Sequence, residues 1–200
     1  MQRIVYTLAY VSIGLWWLFF CVSRLAFIQL LQNITFQFER PSVNADVVVE
    51  ATQRAYAYST APQGGGSDIF FTADELSHLR DVEQIYSFVR LLLGVAAVAS
   101  LSLLLVSVPK QKIDLRALFP AGIFLCGCAL VAFLFVLFFS ISFPLFHMIF
   151  FPQGNWQFPD SSLLIQLFPD LFWQLYSVSL MVGMLGVGIL CFLLYRYWYE

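Results

Sequence analysis

Four stretches of this chain contain no Asp, Glu, Lys or Arg, and their lengths decide what it can fold into. The first runs from Ile4 to Val22, with apolar character continuing to Leu31, and the second from Leu91 to Val108. The third begins at Ala117 and meets no such residue before Asp160; the fourth spans Leu171 to Tyr195. Crossing the hydrocarbon of a bilayer takes roughly 20 apolar helical residues. Each stretch is long enough, and the third is too long for one span, so Pro144 is expected to mark the end of its helix. Only 11% of the 200 residues are charged, against 60% hydrophobic, and mean hydropathy is +0.81. That excludes a water-soluble globule. A net charge of −2 with no basic block speaks against a nucleic-acid partner, and four Cys are too few for a disulfide scaffold. The pattern predicts an all-α membrane protein, a single integral domain over residues 1–200. Its four transmembrane helices are expected at about 4–31, 91–108, 117–143 and 171–195.

Basic residues give the orientation. Arg3, Lys110, Lys112, Arg116 and Arg196 flank one side of the spans with only Asp114 and Glu200, while the other ten acids lie opposite. The positive-inside rule then places both termini in the cytoplasm. It turns an extracytoplasmic helical segment of about 32–90, and a re-entry loop of about 144–170, outward. Helix 1 reads as a retained anchor, because its apolar run is longer than a signal peptide's and Leu18-Phe19-Phe20-Cys21 is bulky where a lipoprotein signal needs small residues.

Polar residues concentrate in the outward segments. Residues 41–58 suit a short interfacial helix, and Gln63-Gly64-Gly65-Gly66-Ser67 reads as a flexible turn. Thr72-Ala73-Asp74-Glu75 has the form of a capping box opening a helix that runs into the second span, with Leu76, Leu79, Val82, Ile85 and Val89 as its apolar stripe.

The chain has two histidines, His78 on the capped helix and His147 just past the expected end of helix 3. Both fall at the outward membrane surface. The bland reading is an interfacial imidazole reaching for water; the sharper one is an acid–base pair, since imidazole titrates near pH 6.5. Asp74 and Asp81 lie four before and three after His78, one helical turn away, so either can orient its ring. Glu75 is better explained by the cap. Arg80 and Arg90 are either solvated or hold anionic headgroups. In the second outward segment, Asn155 is a candidate hydrogen-bond donor and Trp156 either a membrane anchor or the wall of an acyl-chain pocket. Gly183, Gly186 and Gly188 inside an apolar helix indicate close helix packing, not nucleotide binding. Cys126 and Cys128 lie mid-helix, and no metalloprotease motif accompanies the histidines.

At its two histidine segments the chain resembles the lipoprotein intramolecular transacylase (Lit) family of bacterial membrane proteins. The resemblance rests on Phe70 through Val82, on His147 through Phe151 with Gly154 and Trp156, and on Leu167-Phe168-Pro169. It implies an acyltransferase in the cell membrane that moves the sn-2 acyl chain of a diacylglyceryl lipoprotein to the α-amine of its N-terminal cysteine, giving the lyso form. It implies that His78 and His147 are functional. No metal or organic cofactor is required, and the partners are the diacylated lipoprotein and membrane lipid. His78 is the favoured base, with His147 protonating the leaving oxygen or donating to the oxyanion. The opposite assignment and an acyl-histidine route stay open. The rival class is a non-catalytic membrane partner or chaperone docking proteins through the outer segment. A transporter is disfavoured, because the spans carry no mid-membrane charges.

Overall fold

The computed structural model describes residues 2–62, 68–107 and 113–199. The Gln63–Ser67 turn, together with Lys110 and Lys112, lies outside the described residues. In order the elements are α1 (Gln2–Val22), α2 (Leu25–Thr35), α3 (Ala45–Thr60), α4 (Ala73–Ser107), a 3-10 turn (Leu115–Ala117), α5 (Leu118–Leu137), α6 (Phe139–Phe150), α7 (Leu163–Leu167) and α8 (Asp170–Tyr199). No strand occurs among the described residues. Four helices are long and apolar enough to cross a membrane: α1, α4, the 3-10 turn with α5, and α8. In α4 the charge-free stretch Leu91–Ser107 is the spanning part, because Ala73–Arg90 carries six charged residues.

Two expected helices are broken. The first span stops at Val22, and Arg24 adopts an extended conformation before α2 begins. Ser23 and Arg24 end the charge-free run, and Tyr56 Oη donates to the Ser23 carbonyl at 3.1 Å, serving a group the break set free. The third stretch breaks at Phe138, and Pro144 lies inside α6 instead of ending a helix. Proline disturbs the turn before it, where its missing N–H would have met the Ser140 carbonyl. The break falls two residues ahead of that carbonyl.

The chain divides into two compact units. One comprises Met1–Val22, Arg90–Leu137 and Ser177–Glu200, the other Ser23–Val89 and Phe138–Tyr176. In the first, α1, α5 and α8 bury Val11, Leu118, Ala121, Leu125 and Cys191. A Cβ on Gly188 would stand 2.8 Å from Cys126 Sγ and 3.2 Å from the Gly122 carbonyl oxygen, so small residues set how closely α5 and α8 approach. Most of the remaining apolar surface, such as Leu91, Val98, Val131 and Ile189, faces outward, as lipid-facing helices require.

The second unit has its own core of Ala51, Ala55, Phe71, Leu76, Leu79, Leu164 and Leu167, contributed by α3, the start of α4 and α7. Its polar ties are specific. Arg54 binds Asp68 at 3.0 Å and Glu50 at 3.1 Å, and its guanidinium lies over the Phe70 ring. These contacts hold residues 68–70 against α3 and deliver Thr72 to the head of α4.

Candidate active site

Every group that follows, Arg90 excepted, belongs to the second unit. The capping box forms as the sequence predicts: Thr72 N–H donates to Glu75 at 2.8 Å, and Glu75 N–H donates to Thr72 Oγ1 at 3.3 Å. The Glu75 carboxylate, only 2% exposed, does more than cap. Its second oxygen accepts from Ser162 Oγ and from Leu164 N–H at 3.1 Å, fastening the head of α7 to the head of α4. Burial alone would raise its pKa, yet these hydrogen bonds outweigh it and hold the carboxyl below the usual range.

One turn further along α4, His78 is 8% exposed, and on α6 His147 is 9% exposed. Their rings lie 6.0 Å apart, centre to centre, with planes 24° from parallel. Aromatic rings enclose the pair. Phe151 meets His78 edge-on at 4.6 Å and Phe158 at 5.7 Å, while Phe143 at 4.2 Å and Trp156 at 4.9 Å flank His147.

The imidazoles differ in their partners. His147 Nδ1 lies 2.8 Å from the Phe143 carbonyl oxygen. A carbonyl only accepts, so Nδ1 carries the hydrogen and Nε2 presents its lone pair. His78 Nδ1 is buried with no partner, and so is Asn155 Oδ1. Unsatisfied buried polar atoms are costly, and they concentrate where a substrate supplies the missing bond. Burial pushes His78 down to about 4, helped by the neighbouring His147 and opposed by Asp81. His147 is also lowered by burial, with the Phe143 carbonyl pulling the other way. Both rings are therefore neutral at pH 7.

Asp81 does not hydrogen-bond to His78. Its Oδ2 accepts from Gln153 Nε2 and from Asn155 Nδ2, each at 2.6 Å, and Asn155 Nδ2 also reaches Ser77 Oγ at 3.2 Å. Gly154 between the two carboxamides has φ 80°, a left-handed conformation that a side chain would strain, and it turns both neighbours onto one carboxylate. Asp81 thus fixes the loop whose next residue, Trp156, packs on His147.

Of the residues singled out from sequence, the fold gathers His78, His147, Asp81, Asn155 and Trp156. Asp74 is exposed and forms no hydrogen bond or ion pair among the described residues. Arg80 is exposed on α4, and Arg90, also exposed, falls in the first unit. Ser77, Gln153, Phe143 and Phe158 join the site without having been singled out. The Gln-Gly-Asn turn is a signal that could have found Gln153; nothing local marks Phe158. Among the described residues no group of three or more His, Cys, Asp or Glu is placed to hold a metal ion.

Comparison with known proteins bears on this pair of rings. The profile of the family described as lipoprotein intramolecular transacylase Lit matches residues 7–173, which include both histidines. The chain belongs to the Lit family. It is an acyltransferase by that membership. In fold it is similar to the membrane-integral Lit of Bacillus cereus, with 21% identity, a TM-score of 0.79, and coverage of 98% of this chain and 95% of that one. A histidine-to-alanine variant of the same Bacillus cereus Lit matches at 20% identity and TM-score 0.73, covering 98% and 93%. A histidine-to-arginine variant matches at 20% identity and TM-score 0.61, covering 98% and 88%. No curated protein sequence matches the chain. The match covers the first three charge-free stretches and both histidine segments, and it ends at the head of α8.

Proposed function

We propose that this chain transfers the sn-2 acyl group of a diacylglyceryl lipoprotein to the α-amine of that lipoprotein's N-terminal cysteine. The observation that carries the reading is the approach of two buried, neutral imidazoles to 6.0 Å in a Lit-family chain. The attacking amine has a reference pKa near 8 and must lose a proton as its nitrogen bonds to the ester carbonyl carbon. His147 takes that proton at Nε2, because its tautomer is already set by the Phe143 carbonyl. His78, from the other side, donates to the carbonyl oxygen as negative charge develops there. The bond to the glyceryl sn-2 oxygen then breaks, and that oxygen takes the proton from His147. The products are an amide and a free sn-2 hydroxyl, with no net gain or loss of protons or water.

Sequence reasoning favoured His78 as base; the fixed tautomer of His147 favours the reverse. Asn155 Oδ1 accepts an N–H of the amine and aims its lone pair. Amine and ester share one molecule, but uniting them closes a medium-sized ring, so orientation is a large part of the work. The phenyl and indole faces exclude water that would otherwise hydrolyse the ester. The site faces the extracytoplasmic side of the cell membrane, with both termini in the cytoplasm and with membrane lipid around the spans.

The test is mass spectrometry of the N-terminal lipopeptide of a diacylated lipoprotein, incubated with wild type, His78→Ala or His147→Ala. Each variant is expected to insert normally and convert the diacyl to the lyso form about 10²–10⁴-fold more slowly. Undiminished conversion by both variants would sink the assignment.

A further inference from the structure

Away from the histidines, α2, α3 and residues 36–44 between them enclose an open groove of about 470 Å³ within the second unit. Its polar groups are Gln29, Gln32, Asn33, Arg40 and Thr52, set against an apolar wall that includes Val43 and Val49. Gln32 is 3% exposed, and its Nε2 donates to Thr52 Oγ1 at 3.1 Å and to the Leu167 carbonyl at 2.9 Å. With both amide hydrogens spent, it has its carbonyl oxygen left to offer. Gln29, Asn33 and Arg40 form no hydrogen bond or ion pair among the described residues.

A carboxamide carries the donor and acceptor of a peptide bond, so Gln29 and Asn33 with both, and Gln32 with its acceptor, over an apolar wall suit an extended peptide. An anionic headgroup would call for several converging cations, and Arg40 is the one Lys or Arg in the lining. The groove is also tied to the site. Gln32 holds the Leu167 carbonyl, α7 is fastened by Leu164 N–H to Glu75, and Glu75 lies one turn before His78.

We propose that this groove receives the peptide segment following the lipidated cysteine of the substrate, an assignment that rests on the acyl-transfer reading above. The test uses the full-length protein in nanodiscs with two synthetic diacylglyceryl-cysteinyl peptides, one with a tail of about two residues and one of about ten, a length set by the reach of extended chain. Two variants are compared with wild type: Gln29→Ala with Asn33→Ala, and Val49→Trp, which fills the groove from a position already half exposed. Each is expected to raise KM for the long tail roughly tenfold at unchanged kcat, with short-tail conversion as in wild type. Variants that treat both tails as wild type does, or lose both equally, overturn the assignment. A KM rise that follows the anionic lipid content of the disc and not tail length also overturns it, in favour of a headgroup site. Failure of wild type to convert either peptide is a different result, removing the acyl-transfer reading itself.

Discussion

His78 and His147 are buried alike but served differently, and that difference sets their roles. His147 has a carbonyl to hold its N–H and to steady the imidazolium once it forms, whereas His78 has only the through-space pull of Asp81, whose Oδ2 is occupied by two carboxamides. A group whose pKa is depressed by burial stays neutral further into acid than it would in water. His78 should thus remain uncharged down to about pH 4, and His147, whose pKa burial also lowers, is neutral at pH 7. The substrate amine, with its pKa near 8, then dominates the profile. We expect log(kcat/KM) to rise with unit slope from below pH 6.5 towards 8. It should steepen only where the imidazoles themselves gain protons. Initial rates of lyso-form appearance across this range check it. An inflection at 6.5 would show an ordinary solvated imidazole in the rate-determining step and contradict the aromatic enclosure.

At the scale of elements, the head of α4 depends on one carboxylate. Glu75 satisfies Thr72 within its own cap and Ser162 and Leu164 at the head of α7, so it joins two segments 87 positions apart in sequence. Because its folded pKa is depressed, its stabilisation is complete above the unfolded value and is lost as pH falls through the folded one. Glu75→Gln keeps the shape but gives up one acceptor oxygen in a buried position, a loss of about 1–3 kcal/mol. The expected result is a melting temperature lower by several degrees at pH 7, with the gap to wild type closing in acid. An equal gap at all pH values would mean that the charge contributes nothing. The cap was legible because Thr72 and Glu75 are close in sequence; the tie to α7 was not, because no local pattern connects residue 75 to residue 162. The same holds elsewhere. Scarcity made both histidines stand out, and charge-free length located the four apolar helices. The break at Phe138 escaped notice because apolar residues continue through it; at Ser23 and Arg24 the apolar run resumes at once with Leu25, and what relieves that break is a hydroxyl from Tyr56, 33 positions away. Asp81 was read as a partner of His78 from helical spacing, which gives proximity but says nothing of the carboxamides that compete for it.

At the scale of the whole molecule, charge and connectivity support the proposed orientation. In the first unit, Arg3 lies 3.6 Å from Asp114, and the Arg116 guanidinium lies over the Tyr199 ring at 5.6 Å. The start of α1, the entry to α5 and the end of α8 therefore share one end of that unit. Four crossings return the chain to the side it left, which is what that shared end requires. Arg3, Arg116 and Arg196 weight this end with positive charge, which by the positive-inside rule makes it the cytoplasmic end in the proposed orientation. The other charged segments carry ten acids against five arginines and are net acidic. A fluorescent reporter joined after Glu200 in a bacterial host should fold and shine, while alkaline phosphatase inserted after Pro62 should be active only if residues 36–72 are exported. Phosphatase activity is expected at Pro62 and fluorescence at Glu200. The reverse pattern would place the histidines on the cytoplasmic face, away from any lipoprotein already delivered across the membrane, and the proposed substrate would no longer be within reach.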